Sequence, residues 1–209
     1  MSESNSIIAY ASRTGTKRNI AALRGAGWRI LVSATGVHRT EGFPYALDNG
    51  AWTAFQQKRS FDGQAFRTVV DALGADADWV VAPDVVEGGL DSLALTRYWL
   101  PWCLERCQRV LVAVQDGITP PDVADLLSDR VGVAIGGSTE WKEEQLGRHI
   151  WSASWLHCLR VNSCRRIAMC TAAGVDSFDG TSVTRFAKTL PKLDGAKRQM
   201  SLIPLMGES

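Results

Sequence analysis

Short apolar runs rich in β-branched residues recur along the chain, each followed by a polar or glycine-rich turn and usually by an amphipathic stretch. The runs cover residues 7–11, 30–34, 45–47, 79–82, 110–114, 131–135, 156–159 and 175–178, eight in all. Helical periodicity fills most of the gaps, over 17–24, 62–73, 90–106, 121–127, 140–150 and 163–173; Pro101 is expected to break or kink the third of these. Strand and helix alternating in this way predict a parallel sheet, and eight units is the number that closes a barrel. The expected fold is therefore α/β, a compact (β/α)8 TIM-like barrel forming a single domain. The connection between the second and third strands, 35–44, is too short and too rich in Gly and Pro for a helix, so it is expected to be irregular. An open doubly wound sheet is the alternative, because 209 residues is near the lower limit for the barrel.

The polar residues fall at the ends of these runs. Leu47 is followed by Asp48-Asn49-Gly50, Ala82 by Pro83-Asp84, Val114 by Gln115-Asp116-Gly117, Ile135 by Gly136-Gly137-Ser138, and Phe178 by Asp179-Gly180. Taken singly, each is an ordinary turn signal. In a parallel barrel, however, all C-terminal strand ends open on one face, so these groups would converge on one pocket. Carboxylates gathered there repel one another unless they bind or protonate something. A pair of them suits chemistry at an anomeric carbon, one attacking the sugar and the other managing the leaving group's proton. A third carboxylate, Gln115 and the Gly137 N–H would offer acceptors and donors to a flat heterocycle, with no Cβ at Gly136 or Gly137 to hold it off.

Composition narrows the picture modestly. Apolar residues at 45%, charged residues at 22% and a net charge of +1 describe an ordinary soluble domain, so any nucleic-acid contact must rest on local charge. No apolar run is long enough for a signal peptide within Met1–Ile8 or for a bilayer span later. Five cysteines without a Cys-x-x-Cys pair read as reduced thiols of a cytoplasmic protein. Cys103 and Cys107 make a poor metal site without a nearby His. His157 and Cys158 are adjacent on a strand and point to opposite faces, so they form no nucleophile pair, although His157 is placed to touch a phosphate or to position Asp179. Asp176 ranks second to Asp179 as nucleophile. The glycine-rich stretches 13–17 and 87–89 lack a Walker spacing.

The run-end motifs resemble those of the queuine/archaeosine tRNA-guanine transglycosylase superfamily, and most of all its short, phage-type members that insert 7-deazaguanines into DNA. Asp48-Asn49-Gly50-Ala51-Trp52 is similar to the family's Asp-Ser-Gly-Gly-Phe. Ala82-Pro83-Asp84 stands where the family has its base-reading aspartate. Val114-Gln115-Asp116-Gly117 resembles Val-Gln-Gly-Gly, Ala134-Ile135-Gly136-Gly137 repeats Ala-Ile-Gly-Gly, and Gly174-Val175-Asp176-Ser177-Phe178-Asp179 resembles Gly-Ile-Asp-Met-Phe-Asp. The motifs keep the family's order from about residue 45 to 186.

The resemblance implies that Asp179 is the nucleophile and Asp48 the general acid and base. It implies that Asp84, Gln115, Gly136 and Gly137 hold the base, and that no cofactor is needed because one glycosidic bond is exchanged for another. Nothing after Asp179 is Cys or His, so the family's zinc site is not expected, and the family's Pro-Thr-Arg becomes Val183-Thr184-Arg185. These departures favour DNA over tRNA as partner, with a free 7-deazaguanine such as 7-cyano-7-deazaguanine as second substrate. A compact zinc-less tRNA enzyme and a non-catalytic nucleic-acid-binding subunit are the alternatives. Backbone contacts are expected from Arg160, Asn162 and Arg165, beside a helix that Ser163 is placed to cap, and from Arg185 and Lys188 in a basic segment spanning 185–209. A base extruded from a duplex needs an apolar wedge, for which Phe43, Trp52 and Trp141 are candidates.

Overall fold

The computed structural model describes residues 7–185 and 188–200, the last two by backbone alone. Residues 1–6 of the opening stretch, and 186–187 and 201–209 of the basic segment, lie outside the described residues. The elements run β1 (Ile8–Ser12), α1 (Lys17–Gly25), β2 (Arg29–Ser33), β3 (Tyr45–Asp48), α2 (Ala51–Gln56), α3 (Gly63–Leu73), β4 (Val80–Val81), α4 (Asp91–Leu104), β5 (Val110–Val114), α5 (Pro120–Val123), β6 (Val131–Ile135), α6 (Thr139–Arg148), β7 (Leu156–Cys158), α7 (Cys164–Ala172), β8 (Ser177–Gly180), α8 (Ser182–Arg185) and α9 (Thr189–Met200). The eight strands pair in sequence order, all parallel, and β8 returns to β1 to close the barrel. The open-sheet alternative is thereby excluded. No helix among the described residues is long and apolar enough to cross a membrane.

Each strand reads as alternation inside a nearly continuous apolar run. Outward positions such as Ala9, Val32, Leu47, Val80, Val112, Val133, Cys158 and Phe178 join the core shared with the helices. Inward positions Tyr10, Leu31, Ala46, Trp79, Val81, Leu111, Ala113 and Ala134 fill the barrel. That filling is uneven along the axis. Tyr10, Trp79 and Trp155 crowd the lower part, where Tyr10 meets Trp79 edge-on at 5.1 Å and donates to Asp78 at 2.8 Å. Asp78 also takes an ion pair from Arg29 at 2.8 Å. Burial and the Asp78 carboxylate together hold the Tyr10 phenol well above its usual range. Above them stand small residues, Ala113 and Gly136, and the inner face of β6 carries only Gly132 and Ala134. A Cβ on Gly132 would run into the Trp155 carbonyl, so bulk on one strand demands its absence on the next.

Local departures from the sequence pattern have local causes. α4 runs unbroken through Pro101, contrary to expectation. The proline sits in the last turn, where it removes a single intrahelical bond. There Trp99 and Trp102 pack against Phe66 at 5.4 and 6.0 Å, and Arg67 lies 4.5 Å over the Trp99 ring. Burial of such rings is worth roughly 1.5–3 kcal/mol each, comparable to the roughly 3 kcal/mol a helical proline costs. β4 is brief because Pro83 cannot donate to a ladder, yet the whole 79–82 run stays paired through Leu47 N–H to Trp79 O at 3.0 Å and Ala82 N–H to Leu111 O at 2.9 Å. The 35–44 connection is irregular as expected. The short helix α2 and the basic helix α9 were not delimited by periodicity. α9 lies on the barrel, burying Leu190 and Leu193, and its Asp194 accepts from the Trp28 indole at 3.0 Å. Trp28 in turn meets Phe178 of β8 edge-on at 5.7 Å.

Candidate active site

The C-terminal strand ends enclose a cavity of about 910 Å³. Its volume sits at the top of the roughly 300–1,000 Å³ range of small-molecule sites, room for a nucleotide rather than a bare base. Asp48, Asp84, Gln115, Gly136, Gly137, Arg160, Asn162 and Asp179 all line it, on a floor of Leu31, Val81 and Ala113. Strand ends more than a hundred residues apart therefore supply one acidic pocket.

Asp179 is buried at the top of β8, beside Tyr10 in the ladder. Its Oδ1 accepts the Arg160 backbone N–H at 2.9 Å and lies 3.3 Å from His157 Nε2. Arg160 reaches that position through a left-handed turn after β7 (φ 61°), and the buried Lys142 holds the turn by donating to the Leu159 carbonyl at 2.7 Å. Asp48 ends β3 with its side chain inward, where Oδ2 accepts the Gly50 N–H at 3.1 Å. Gly50 has φ 82° and starts α2; a Cβ there would press on Thr35 at 2.9 Å. Burial, then the neighbouring Asp179 charge, lifts the Asp48 carboxyl to about 6 against the opposing pull of the Ser33 hydroxyl and Gly50 N–H; Asp84 adds to the rise. Burial also raises Asp84, and the Asn49 amide, donating to Asp84 Oδ1 at 2.8 Å, offsets part of it.

Several expected readers of the ligand are otherwise employed. The Gln115 amide is spent on the β4–α4 loop, donating to the Val85 carbonyl at 2.7 Å and accepting the Glu87 N–H at 2.7 Å. It shapes the wall instead of presenting free donors. Arg160 donates to the Gly137 carbonyl at 2.6 Å and lies 4.1 Å over the Trp52 ring. Asn162 accepts the Ser182 N–H at 3.0 Å. Arg165 and Lys188 line a neighbouring groove with Lys192 and the Ser163 cap of α7, and Arg165 pairs with Glu143 at 2.6 Å. Among the described residues Arg185 ends α8 and lines neither recess. Of the wedge candidates, Trp52 reaches the cavity, whereas Phe43 is buried beneath Arg24 and Trp141 packs toward Trp151. Asp176 lies at the opposite, N-terminal end of β8, where it accepts the Leu156 N–H at 2.7 Å, so it is structural. His157 is fully buried and faces Asp179.

Other contributors were given no role of their own by the sequence reading. Asn49 is buried and braces Asp84 while accepting the Ala51 N–H at 2.8 Å. Ser33 supports Asp48 from the paired position on β2. Asp116 accepts both the Ser138 N–H at 2.7 Å and its hydroxyl at 2.6 Å; although burial pushes its carboxyl upward, these bonds hold it below the usual range. Two-residue alternation would have flagged Ser33, which lies on the inner face with Leu31.

Gly137 (φ 73°) ties these parts together, because a Cβ there would collide with Asp116 Oδ2 and crowd Trp141 at 3.0 Å. Gly137→Ala is expected to lose about 1–3 kcal/mol of stability in urea unfolding, with an unchanged denaturant slope.

The chain is thus a parallel (β/α)8 barrel with a carboxylate-lined cavity on its C-terminal face. In comparisons with known proteins, no family matches the chain and no curated protein matches it.

Proposed function

We propose that the chain is a DNA guanine transglycosylase, exchanging guanine for a 7-deazaguanine through a covalent glycosyl-aspartate. The observation that carries this reading is the pairing, in one cavity, of two unlike carboxyl groups: Asp179, fixed by the Arg160 N–H, and Asp48, lifted to about 6. An oxygen of Asp179 attacks C1′ as the bond from C1′ to the guanine nitrogen breaks. The electron pair leaves with the base, which takes its proton from Asp48. The incoming base then gives a proton back to Asp48 and attacks C1′, expelling the Asp179 carboxylate. Two inversions retain configuration, and no external energy source is consumed.

Asp84, Asn49 and the glycine-lined wall at 136–137 support a planar, polar-edged ligand rather than a free sugar. A polyanionic partner is supported by the basic groove at Arg165, Lys188 and Lys192, which shares Asn162 with the cavity. The test is exchange of radiolabelled guanine into DNA and into tRNA by the purified protein. Label is expected in DNA. Label in tRNA alone overturns the choice of nucleic acid; label in neither, with nucleic-acid binding retained, leaves a non-catalytic binding subunit.

A further inference from the structure

Beneath the cavity a line of buried polar groups leads up to Asp179. Trp155, just before β7, and His157 on it face the inner side of the barrel, as do Ser177 and Asp179 of β8. The Trp155 indole N–H donates to Ser177 Oγ at 2.9 Å, Ser177 Oγ lies 2.8 Å from His157 Nδ1, and His157 Nε2 lies 3.3 Å from Asp179 Oδ1. Both Ser177 and His157 are 0% exposed, and the imidazole is walled by Trp79 at 4.4 Å and Tyr10 at 5.9 Å. Hydrogens in this line follow from counting.

Ser177 Oγ already receives the indole proton, so its own hydroxyl proton needs an acceptor, and His157 Nδ1 is the one within reach. That leaves Nδ1 unprotonated and puts the ring proton on Nε2, facing a carboxylate. The opposite tautomer would orphan the Ser177 hydroxyl and set the Nε2 lone pair against Asp179. An imidazolium would also orphan that hydroxyl.

We propose that Trp155 and Ser177 lock His157 in the Nε2–H tautomer, making His157 a positioning residue for Asp179. With the Arg160 N–H it saturates Oδ1, so that Oδ2 is the oxygen presented to the substrate carbon. The inference rests on Asp179 being the nucleophile, but its first test does not.

In a long-range ¹H–¹⁵N correlation on ¹⁵N-histidine protein, with His157 assigned by its absence in H157Q, a pyrrole-type Nε2 and a pyridine-type Nδ1 are expected. Ser177→Ala should erode that pattern. An Nδ1–H ring or an imidazolium in the wild-type chain overturns the lock, whether or not the protein exchanges bases.

The second arm measures the rate of glycosyl-enzyme formation. S177A and H157L are expected to slow it by about 10–100-fold with KM for an oligonucleotide nearly unchanged, and H157Q, which keeps an N–H donor, should recover part of the loss. Thermal melts establish that each variant is folded. An unchanged rate in folded S177A and H157L removes His157 from the positioning role, and a chain that exchanges nothing fails the functional reading while the tautomer still decides the lock.

Discussion

Asp179→Asn should abolish base exchange, lowering the rate of guanine release by on the order of 10⁴-fold or more while binding of the oligonucleotide stays nearly intact. The substitution is isosteric and keeps an acceptor for the Arg160 N–H and for His157, so the barrel has no reason to rearrange. What is lost is the carboxylate oxygen proposed to form the bond to C1′. Denaturing gels and intact-mass spectrometry make the check direct. Wild-type protein given guanine-containing DNA and no incoming base should accumulate a covalent adduct, and D179N should not. An adduct that persists in D179N would move the nucleophile elsewhere, with Asp48 next in line on the cavity wall.

The second large effect concerns Asp48. With its carboxyl at about 6, release of guanine needs the protonated form, so single-turnover release should fall about tenfold per pH unit above 6. Attack by the incoming base needs the ionised form and should rise with pH through a lower value, because Asp179, esterified in the intermediate, no longer carries the charge that helps to raise Asp48. Opposite slopes in the two half-reactions, the second breaking at a lower pH than the first, are the signature. Asp48→Asn should flatten both and cost on the order of 10²–10⁴-fold.

Stability should move the other way. A carboxyl raised from 3.8 to about 6 on folding favours the folded state fully below pH 4, and that contribution disappears as pH climbs through 6. Asp48→Asn removes the buried charge, so it should raise stability by about 2 kcal/mol at pH 8, allowing for water admitted by the cavity, and leave it unchanged near pH 3.5. Urea titrations at the two pH values decide this. A stability loss at pH 8 would mean that Asp48 is ionised comfortably and cannot serve as the acid.

The barrel was legible because each strand is written twice, once in its apolar run and once in the polar residue that ends it. The 45–47 and 175–178 runs stop at Asp48 and Asp179, and those two aspartates face one cavity. Alternation also separated His157 from Cys158 correctly. The roles of individual polar groups were less legible. Nothing in the order Val114-Gln115-Asp116 says that the amide will be consumed by the main chain of residues 85–87, thirty positions upstream. Likewise Arg160, expected to seek phosphate, is claimed by the Gly137 carbonyl and the Trp52 ring, partners on other strand ends. Pattern reports which face a side chain takes; what it meets there depends on loops whose course no periodicity encodes.

The contact from Asp194 through Trp28 to Phe178 has a bearing on how the protein would fail. It clasps the seam where the last strand meets the first, and Phe178 is the covalent neighbour of Asp179. Peeling α9 away would strip that clasp from the strand that carries Asp179, even with most of the wheel of helices still in place. The proposed activity therefore depends on the join between the last strand and the first, and gentle heating that frees α9 should end base exchange before the barrel melts.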